Sequence, residues 1–412
     1  MKISQRAQNI TPSATLALSA KAKQMKASGI DVINLSIGEP DFNTPRHVKD
    51  AAVAAINEGK SDFYTPATGI LELREAIAKF INDDCNTAFS KENVAVAAGG
   101  KMALFAIAQT ILDPGDEVLI PLPYWVSYGE QVKLVGGVPK FVKANNETHK
   151  VTVKELEEMR TEKTVAVIVN SPQNPSGLIY TKEELEAIGN WAVEHDIYLV
   201  ADDMYSKLVY NGNKFVSLME LSPSIRQNTI LVNGFSKAYA MTGWRIGYVV
   251  AEEEIIKKIG AVIGHETSNL AAVSQYAALA AVTGDQACTE EMRQAYEKRL
   301  NDIYPLVCEI PGFELKNKPE GAFYMFPNVK KGQCCKFPTS HRNQLTVSVC
   351  CSLLQPKLQA RKNKSVTRVG CHNMVKSWLD RNNLHNSTEY IFFMVGKRHY
   401  QKLAHIVRIP LY

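Results

Sequence analysis

The chain has 412 residues, 45% of them hydrophobic, 22% charged and 8% aromatic. This composition argues against disorder, collagen and coiled coil for the bulk of it, and the length fits a large domain with a smaller one attached. The formal charge of +5 conceals a split: residues 1–327 carry 32 Lys and Arg against 40 Asp and Glu, a net of −8, whereas residues 328–412 carry 15 against only Asp380 and Glu389, a net of +13.

The start, MKISQRAQNI, is polar, and no secretory apolar stretch follows it. No apolar run approaches the ~18 residues of a membrane span. A cytoplasmic protein with reduced thiols is therefore expected. From about Asp50 to Ala251 short apolar strands alternate with amphipathic helices. Val94–Ala98, Glu117–Pro121, Val165–Val169, Ile197–Ala201, Ile230–Asn233 and Gly247–Val250 read as strands, with 102–111 helical after the first. Near-continuous apolar strands imply burial on both faces, as in a parallel sheet covered by helices, so the expected class is a doubly wound α/β fold. Asp113-Pro114-Gly115-Asp116 is a turn, and Thr181 with Glu184 makes a capping box for a helix to about His195. After Glu252 the pattern is mainly helical to about Val307, and 312–327 reads as strand, turn and strand.

Four polar constellations fall at carboxyl ends of these strands, where ligands bind in open α/β sheets. The strongest is Gly234-Phe235-Ser236-Lys237, with Arg245 eight residues beyond the Lys. A lysine at a strand end can be desolvated into a nucleophile for a Schiff base, and Ser and Arg suit a phosphate anchor. Asp202-Asp203-Met204-Tyr205 puts a carboxylate where a protonated ring nitrogen would need one, although an Asp there also caps helices. Asn170 to Gly177 follows another strand and, read alone, is a Pro/Gly turn. Gly99-Gly100-Lys101 lets backbone N–H groups and a helix start approach a phosphate.

These motifs resemble the class I pyridoxal-phosphate aminotransferases of fold type I, nearest to the bacterial aspartate aminotransferase subgroup, over about residues 1–327. Further matching strings are 12–15 (PSAT), 38–45 (GEPDFNTP), 64–69 (YTPATG), 123–128 (PYWVSY) and 174–177 (NPSG). The resemblance implies a large doubly wound, mostly parallel sheet domain and a smaller α+β domain. It divides the chain into an N-terminal arm and part of the small domain (1–45), a cofactor domain (46–299), the start of the small domain (300–327) and an atypical basic, Cys-rich tail (328–412). By resemblance Lys237 would be the Schiff-base lysine and proton shuttle. Asp202 would pair with the cofactor's pyridinium nitrogen, Tyr205 and Asn174 with its ring oxygen, and Trp125 would stack on the ring. Ser236, Arg245 and the backbone at Gly99, Gly100 and Lys101 would hold the phosphate, joined by Tyr64 from a neighbouring subunit, which implies a homodimer with shared sites. Gly38, Thr15 and Lys101 would contact the substrate, the last two at the distal carboxylate of a dicarboxylic amino acid, with Trp125 and Asn174 also lining its site. The implied reaction moves an amino group from L-aspartate to 2-oxoglutarate, giving oxaloacetate and L-glutamate. The partners are small molecules, with no metal, nucleic acid or membrane. The alternatives are an aromatic or prephenate aminotransferase or a carbon–sulfur lyase on the same scaffold, a cofactor-binding regulator, and a catalytically impaired cofactor-binding protein.

The family's Arg that grips the substrate α-carboxylate does not occur in its expected setting; only Arg408 offers a remote match. Three readings fit 328–412: a frame slip near Lys330, a basic interaction tail, and a zinc site drawn from Cys334, Cys335, Cys350, Cys351, Cys371 and His372, whose Cys-Cys spacing departs from Cys-x-x-Cys.

Overall fold

The structure is a computed structural model that describes residues 2–30, 32, 34–144, 148–309, 313–329, 349–350, 392–394 and 405–407. The readings made for Arg408, Cys334, Cys335, Cys351, Cys371, His372 and most of 328–412 lie outside the described residues. The chain separates into two compact units. One comprises Met1–Thr11, Glu39–Glu297 and Pro319–Ala322; the other comprises Pro12–Gly38, Lys298–Lys318 and the chain from Phe323 on.

The first unit is built on seven strands: β1 (Val94–Ala97), β2 (Glu117–Leu122), β3 (Val138–Lys143), β4 (Thr164–Asn170), β5 (Tyr198–Asp202), β6 (Thr229–Gly234) and β7 (Gly247–Val250). Their spatial order is β1-β7-β6-β5-β4-β2-β3. Pairing is parallel except at β7, which runs antiparallel to both β6 and β1. The sheet is therefore the mostly parallel one that the apolar strands predict.

Alternation along each strand sorts its side chains onto two faces. Val94, Leu119, Val167, Leu199 and Leu231 join one buried cluster, whereas Ala95, Ile120, Ile168, Val200 and Val232 join the other. Helices Arg46–Asn57, Leu71–Cys85, Lys182–Glu194 and Ala272–Thr283 contribute to the first cluster, and Gly100–Ile111, Ser127–Leu134 and Glu253–Glu266 to the second. The capping box at Thr181 is formed: its side chain accepts from the Glu184 N–H, and Glu184 accepts from the Thr181 N–H.

Strand β3 is the one sheet member that the apolar pattern does not announce. It lies at the sheet edge, contains Pro139, Lys140 and Lys143, and buries only Val142. An edge strand needs polar and Pro residues to discourage further pairing, which erases the signature of a buried strand.

In the second unit the Ala14–Ala27 helix precedes Gly38, and two-residue strands Phe313–Glu314 and Asn328–Val329 pair antiparallel. The strand expected at the start of 312–327 thus pairs with 328–329. No helix among the described residues is long and apolar enough to cross a membrane.

Leu199 is fully buried in β5. Leu199→Ala should destabilise the fold by about 2–5 kcal/mol through lost burial and a residual cavity. Denaturant unfolding checks this, and a loss under ~1 kcal/mol would place Leu199 outside the tightly packed core.

Candidate active site

Because β7 is reversed, its first residue lies at the same edge of the sheet as the last residues of β1 and β6. Ala97 and Gly234 both sit opposite Gly247 in register. Side chains have no room there. A Cβ on Gly247 would lie 2.6 Å from the Gly100 nitrogen, one on Gly234 would lie 2.9 Å from the Gly247 Cα, and one on Gly100 would meet the Met204 methyl at 2.5 Å. Gly99 adopts φ +83°, the region open to glycine, and starts the Gly100–Ile111 helix.

Arg245 closes this cradle from the other side. A Cβ on Gly99 would fall 2.6 Å from its Nη2. Arg245 is itself left-handed at φ +54°. Its Nη1 donates to the Thr242 carbonyl at 3.0 Å and its Nη2 to the Ala98 carbonyl at 3.4 Å. Lys101, in the first turn of the same helix, holds its Nζ 4.8 Å from the centre of the Trp125 ring. Burial, and then the charge of Arg245, lower the pKa of that ammonium.

Asp202 ends β5 and is 6% exposed. Its Oδ2 accepts the Tyr128 hydroxyl at 2.5 Å and its Oδ1 accepts the Met204 N–H at 3.2 Å. Burial raises its pKa, while the Tyr128 hydrogen bond, the Met204 N–H and the positive charge of Lys237 oppose that rise. Burial, followed by the Asp202 charge, pushes the Tyr128 phenol far above its usual value, so Tyr128 keeps its proton and donates it in the hydrogen bond to Asp202. Asn170, at the end of β4, spans two of the expected groups. Its Nδ2 donates to the Asp202 carbonyl at 2.8 Å and its Oδ1 accepts the Asn174 N–H at 2.7 Å.

Lys237 sits in the short Phe235–Ala238 helix that follows β6, half-buried, with Nζ 5.9 Å from the centre of the Tyr205 ring. Ser236 beside it and Tyr205 are buried. The first unit thus gathers Gly99, Gly100, Lys101, Trp125, Asn174, Asp202, Tyr205, Ser236, Lys237 and Arg245 at the carboxyl ends of its strands. Tyr64 points elsewhere: it is 89% exposed and its neighbour Phe63 81%. The turn that follows is pinned by buried Gln275, whose Nε2 donates to Thr65 Oγ1 at 2.9 Å and whose Oε1 accepts the Ile70 N–H at 2.7 Å. Gly38 and Thr15 belong to the second unit. There a Cβ on Gly38 would collide with the Tyr324 hydroxyl, and Thr15 Oγ1 shares a hydrogen bond with Ser13 Oγ at 3.0 Å.

Three residues that the motif strings contain, but to which they give no role of their own, make buried hydrogen bonds at these strand ends: Tyr128, Asn170 and Asp203. Tyr128 has a visible signal, because it follows Trp125 by three residues, and the two rings meet edge to face at 5.4 Å. Asp203 is 5% exposed and accepts the Ser217 hydroxyl at 2.7 Å. Burial, reinforced by the charges of Asp202 and Glu220 and opposed only by Ser217, lifts its carboxyl from 3.8 to about 8.

A carboxyl that holds its proton more tightly when folded contributes stability below its unfolded pKa, and that contribution is lost as pH rises through the folded one. The wild type should therefore lose stability relative to Asp203→Asn between about pH 4 and pH 8, by up to ~1.4 kcal/mol per pH unit, with no further divergence above that range. Unfolding curves that stay parallel across this window would show that Asp203 is ionised in the folded chain.

Comparison with known proteins accords with this geometry. A family model described as aminotransferase class I and II matches residues 30–378. An aspartate aminotransferase of Bacillus subtilis is 50% identical over 339 residues, covering 82% of this chain and 86% of that protein. An asparagine–oxo-acid transaminase of Streptococcus mutans is 49% identical over 331 residues, covering 80% and 84%. The structure of Thermus thermophilus aspartate aminotransferase with maleate superposes with a TM-score of 0.75 at 41% identity, covering 79% of this chain and 85% of that one. Aminotransferases of this type use pyridoxal phosphate. The cradle of four glycines, flanked by Arg245 and by Met204, which lies two residues beyond the buried acid Asp202, fits a phosphorylated ring with a basic nitrogen. The chain therefore belongs to the class I and II aminotransferases, and it is a pyridoxal-phosphate enzyme of fold type I.

Proposed function

We propose that the chain transfers the amino group of L-aspartate to 2-oxoglutarate, giving oxaloacetate and L-glutamate. The observation that carries this reading is the placement of the Lys101 ammonium over the Trp125 ring, at the edge where Lys237, Asp202 and Arg245 converge. A cation there favours a donor with an acidic side chain, and the Thermus relative was solved with maleate, itself a dicarboxylate. Thr15 is proposed as the second contact to that carboxylate, and Gly38 as a backbone contact to the α-carboxylate.

Arg245, Ser236 and the N–H groups of Gly99, Gly100 and Lys101 would hold the cofactor phosphate. Trp125 would stack on the ring, Asn174 and Tyr205 would meet its oxygen, and Asp202 would meet its nitrogen. The chemistry that bound pyridoxal phosphate supplies is withdrawal of electrons from the amino acid's Cα. Lys237 Nζ would take the Cα proton and return it. Tyr128 keeps the Asp202 carboxylate aimed, and Asn170 ties that acid's backbone to Asn174. The exposed Phe63–Tyr64 pair on a pinned turn supports a homodimer in which Tyr64 completes the partner's phosphate site. Sedimentation velocity tests the assembly, and a monomer at micromolar concentration would overturn it.

The cofactor-loaded chain should form oxaloacetate and L-glutamate from L-aspartate and 2-oxoglutarate faster than it turns over L-asparagine, L-phenylalanine, prephenate or cystathionine. Preference for any of these would replace the donor assignment, and absence of turnover with all of them would favour the impaired or regulatory reading. Lys237→Ala should lower kcat by at least about 10²–10⁴-fold. Tyr128→Phe removes a hydrogen bond to a buried charge, about 1.5–3 kcal/mol, and should lower kcat/KM roughly 10- to 100-fold.

A further inference from the structure

The segment 38–45 carries a residue to which no role has yet been given. Thr44 lies just before the Arg46–Asn57 helix, where a Thr ordinarily caps the helix start. Here Pro45 takes the cap position and no side chain caps the helix. The Thr44 hydroxyl instead acts 196 and 200 residues away. It donates to the Ala240 carbonyl at 2.8 Å and accepts the Trp244 indole N–H at 3.0 Å. Trp244 is tied again through its carbonyl, which accepts the Ser274 hydroxyl at 2.9 Å.

The loop held in this way is costly to hold. Ala240 at φ +51° and Arg245 at φ +54° bracket it, both left-handed without being glycine. Such a loop keeps its shape only where its surroundings over-determine it. Thr44 satisfies one group near each of these strained residues, and Arg245 then reaches back against Gly99 at the helix start.

We infer that Thr44 is a positioning residue for anion recognition: its hydroxyl locks the 240–245 loop so that the Arg245 guanidinium faces the Gly99–Gly100 cradle. The inference rests on the proposed role of Arg245 as a phosphate anchor. The effect expected is on the phosphate, because the Thr44 hydroxyl bonds to Ala240 and Trp244 and not to the side chains of Asp202, Tyr128 or Lys237.

The experiment titrates the full chain, stripped of cofactor, with pyridoxal phosphate, with pyridoxal and with inorganic phosphate. Thr44→Val keeps the shape and removes the hydroxyl, whereas Thr44→Ser keeps the hydroxyl. Thr44→Val should weaken pyridoxal phosphate and inorganic phosphate about tenfold, equal to ~1.4 kcal/mol, and pyridoxal less than about twofold. Thr44→Ser should restore phosphate binding to within about twofold of wild type. Equal weakening of pyridoxal and pyridoxal phosphate, no effect of Thr44→Val, or no rescue by Thr44→Ser would each overturn the inference. Arg245→Ala is the control. If it leaves the preference for phosphate intact, the anchor role of Arg245 fails and the inference fails with it; if it abolishes the preference while Thr44→Val does not reduce it, only the role of Thr44 fails.

Discussion

A carboxylate withdrawn from water must be compensated on every side, and the arrangement of this site follows from how that is done at Asp202. Its two side-chain oxygens are taken by a phenol and a backbone N–H, and its own carbonyl by the Asn170 amide. These partners come from three places: the Ser127–Leu134 helix, the turn after β5 and the end of β4. A buried ion left without such partners would take up a proton instead. The position of the Asp202 carboxyl is therefore set jointly by three elements. Asp203, next in the chain, lacks that support. It receives a single hydroxyl, and burial beside Asp202 and Glu220 pushes it towards the neutral form. Burial raises both carboxyls at this strand end, but Asp202 has two hydrogen-bond donors and the charge of Lys237 opposing the rise, whereas Asp203 has only Ser217.

The second constraint is backbone proximity. Reversing β7 between β1 and β6 brings two strand ends and one strand start to the same edge, where Gly99, Gly100, Gly234 and Gly247 touch almost without side chains. This contact has an energetic cost, since glycine loses more conformational freedom on folding than other residues. What it achieves is close backbone approach at this edge, with Arg245 delivered against Gly99 by the residues that enter β7. This close approach is thus a consequence of sheet topology, and a fully parallel sheet would bring the chain into β7 from the opposite edge.

How far the sequence discloses this varies with the kind of feature. The buried strands are legible because both faces are apolar, and the capping box at Thr181 is legible because its chemistry is local. The constellations at 99–101, 202–205 and 236–245 are legible because the small, charged and strained residues lie next to one another in the chain. Edge strand β3 is not, because its exposed positions carry the polar residues that an edge requires. Tyr128, Asn170 and Thr44 escape for another reason. Each acts through one hydrogen bond or two to a group 32 to 200 residues away, or 4 residues away in the case of Asn174, and no periodicity marks such a bond. A Tyr beside a Trp in a helix start looks like packing until the carboxylate opposite its hydroxyl is known.

Charge gives a last instance of local order set against a global average. The first 327 residues are net acidic at −8, yet the carboxyl edge of the sheet carries Lys101, Lys237 and Arg245. At physiological ionic strength the Debye length is about 8 Å, so exposed acids farther away than that have little effect on an anion arriving there. Burial lowers the Lys101 pKa, and repulsion by Arg245 adds to that. They are held together by contacts that do not neutralise them: a ring face for one and carbonyl oxygens for the other. Two cations kept close, with no carboxylate partner among the described residues, would be stabilised by an arriving anion, and an acidic body would not oppose that, because its charge is screened before it reaches the strand ends.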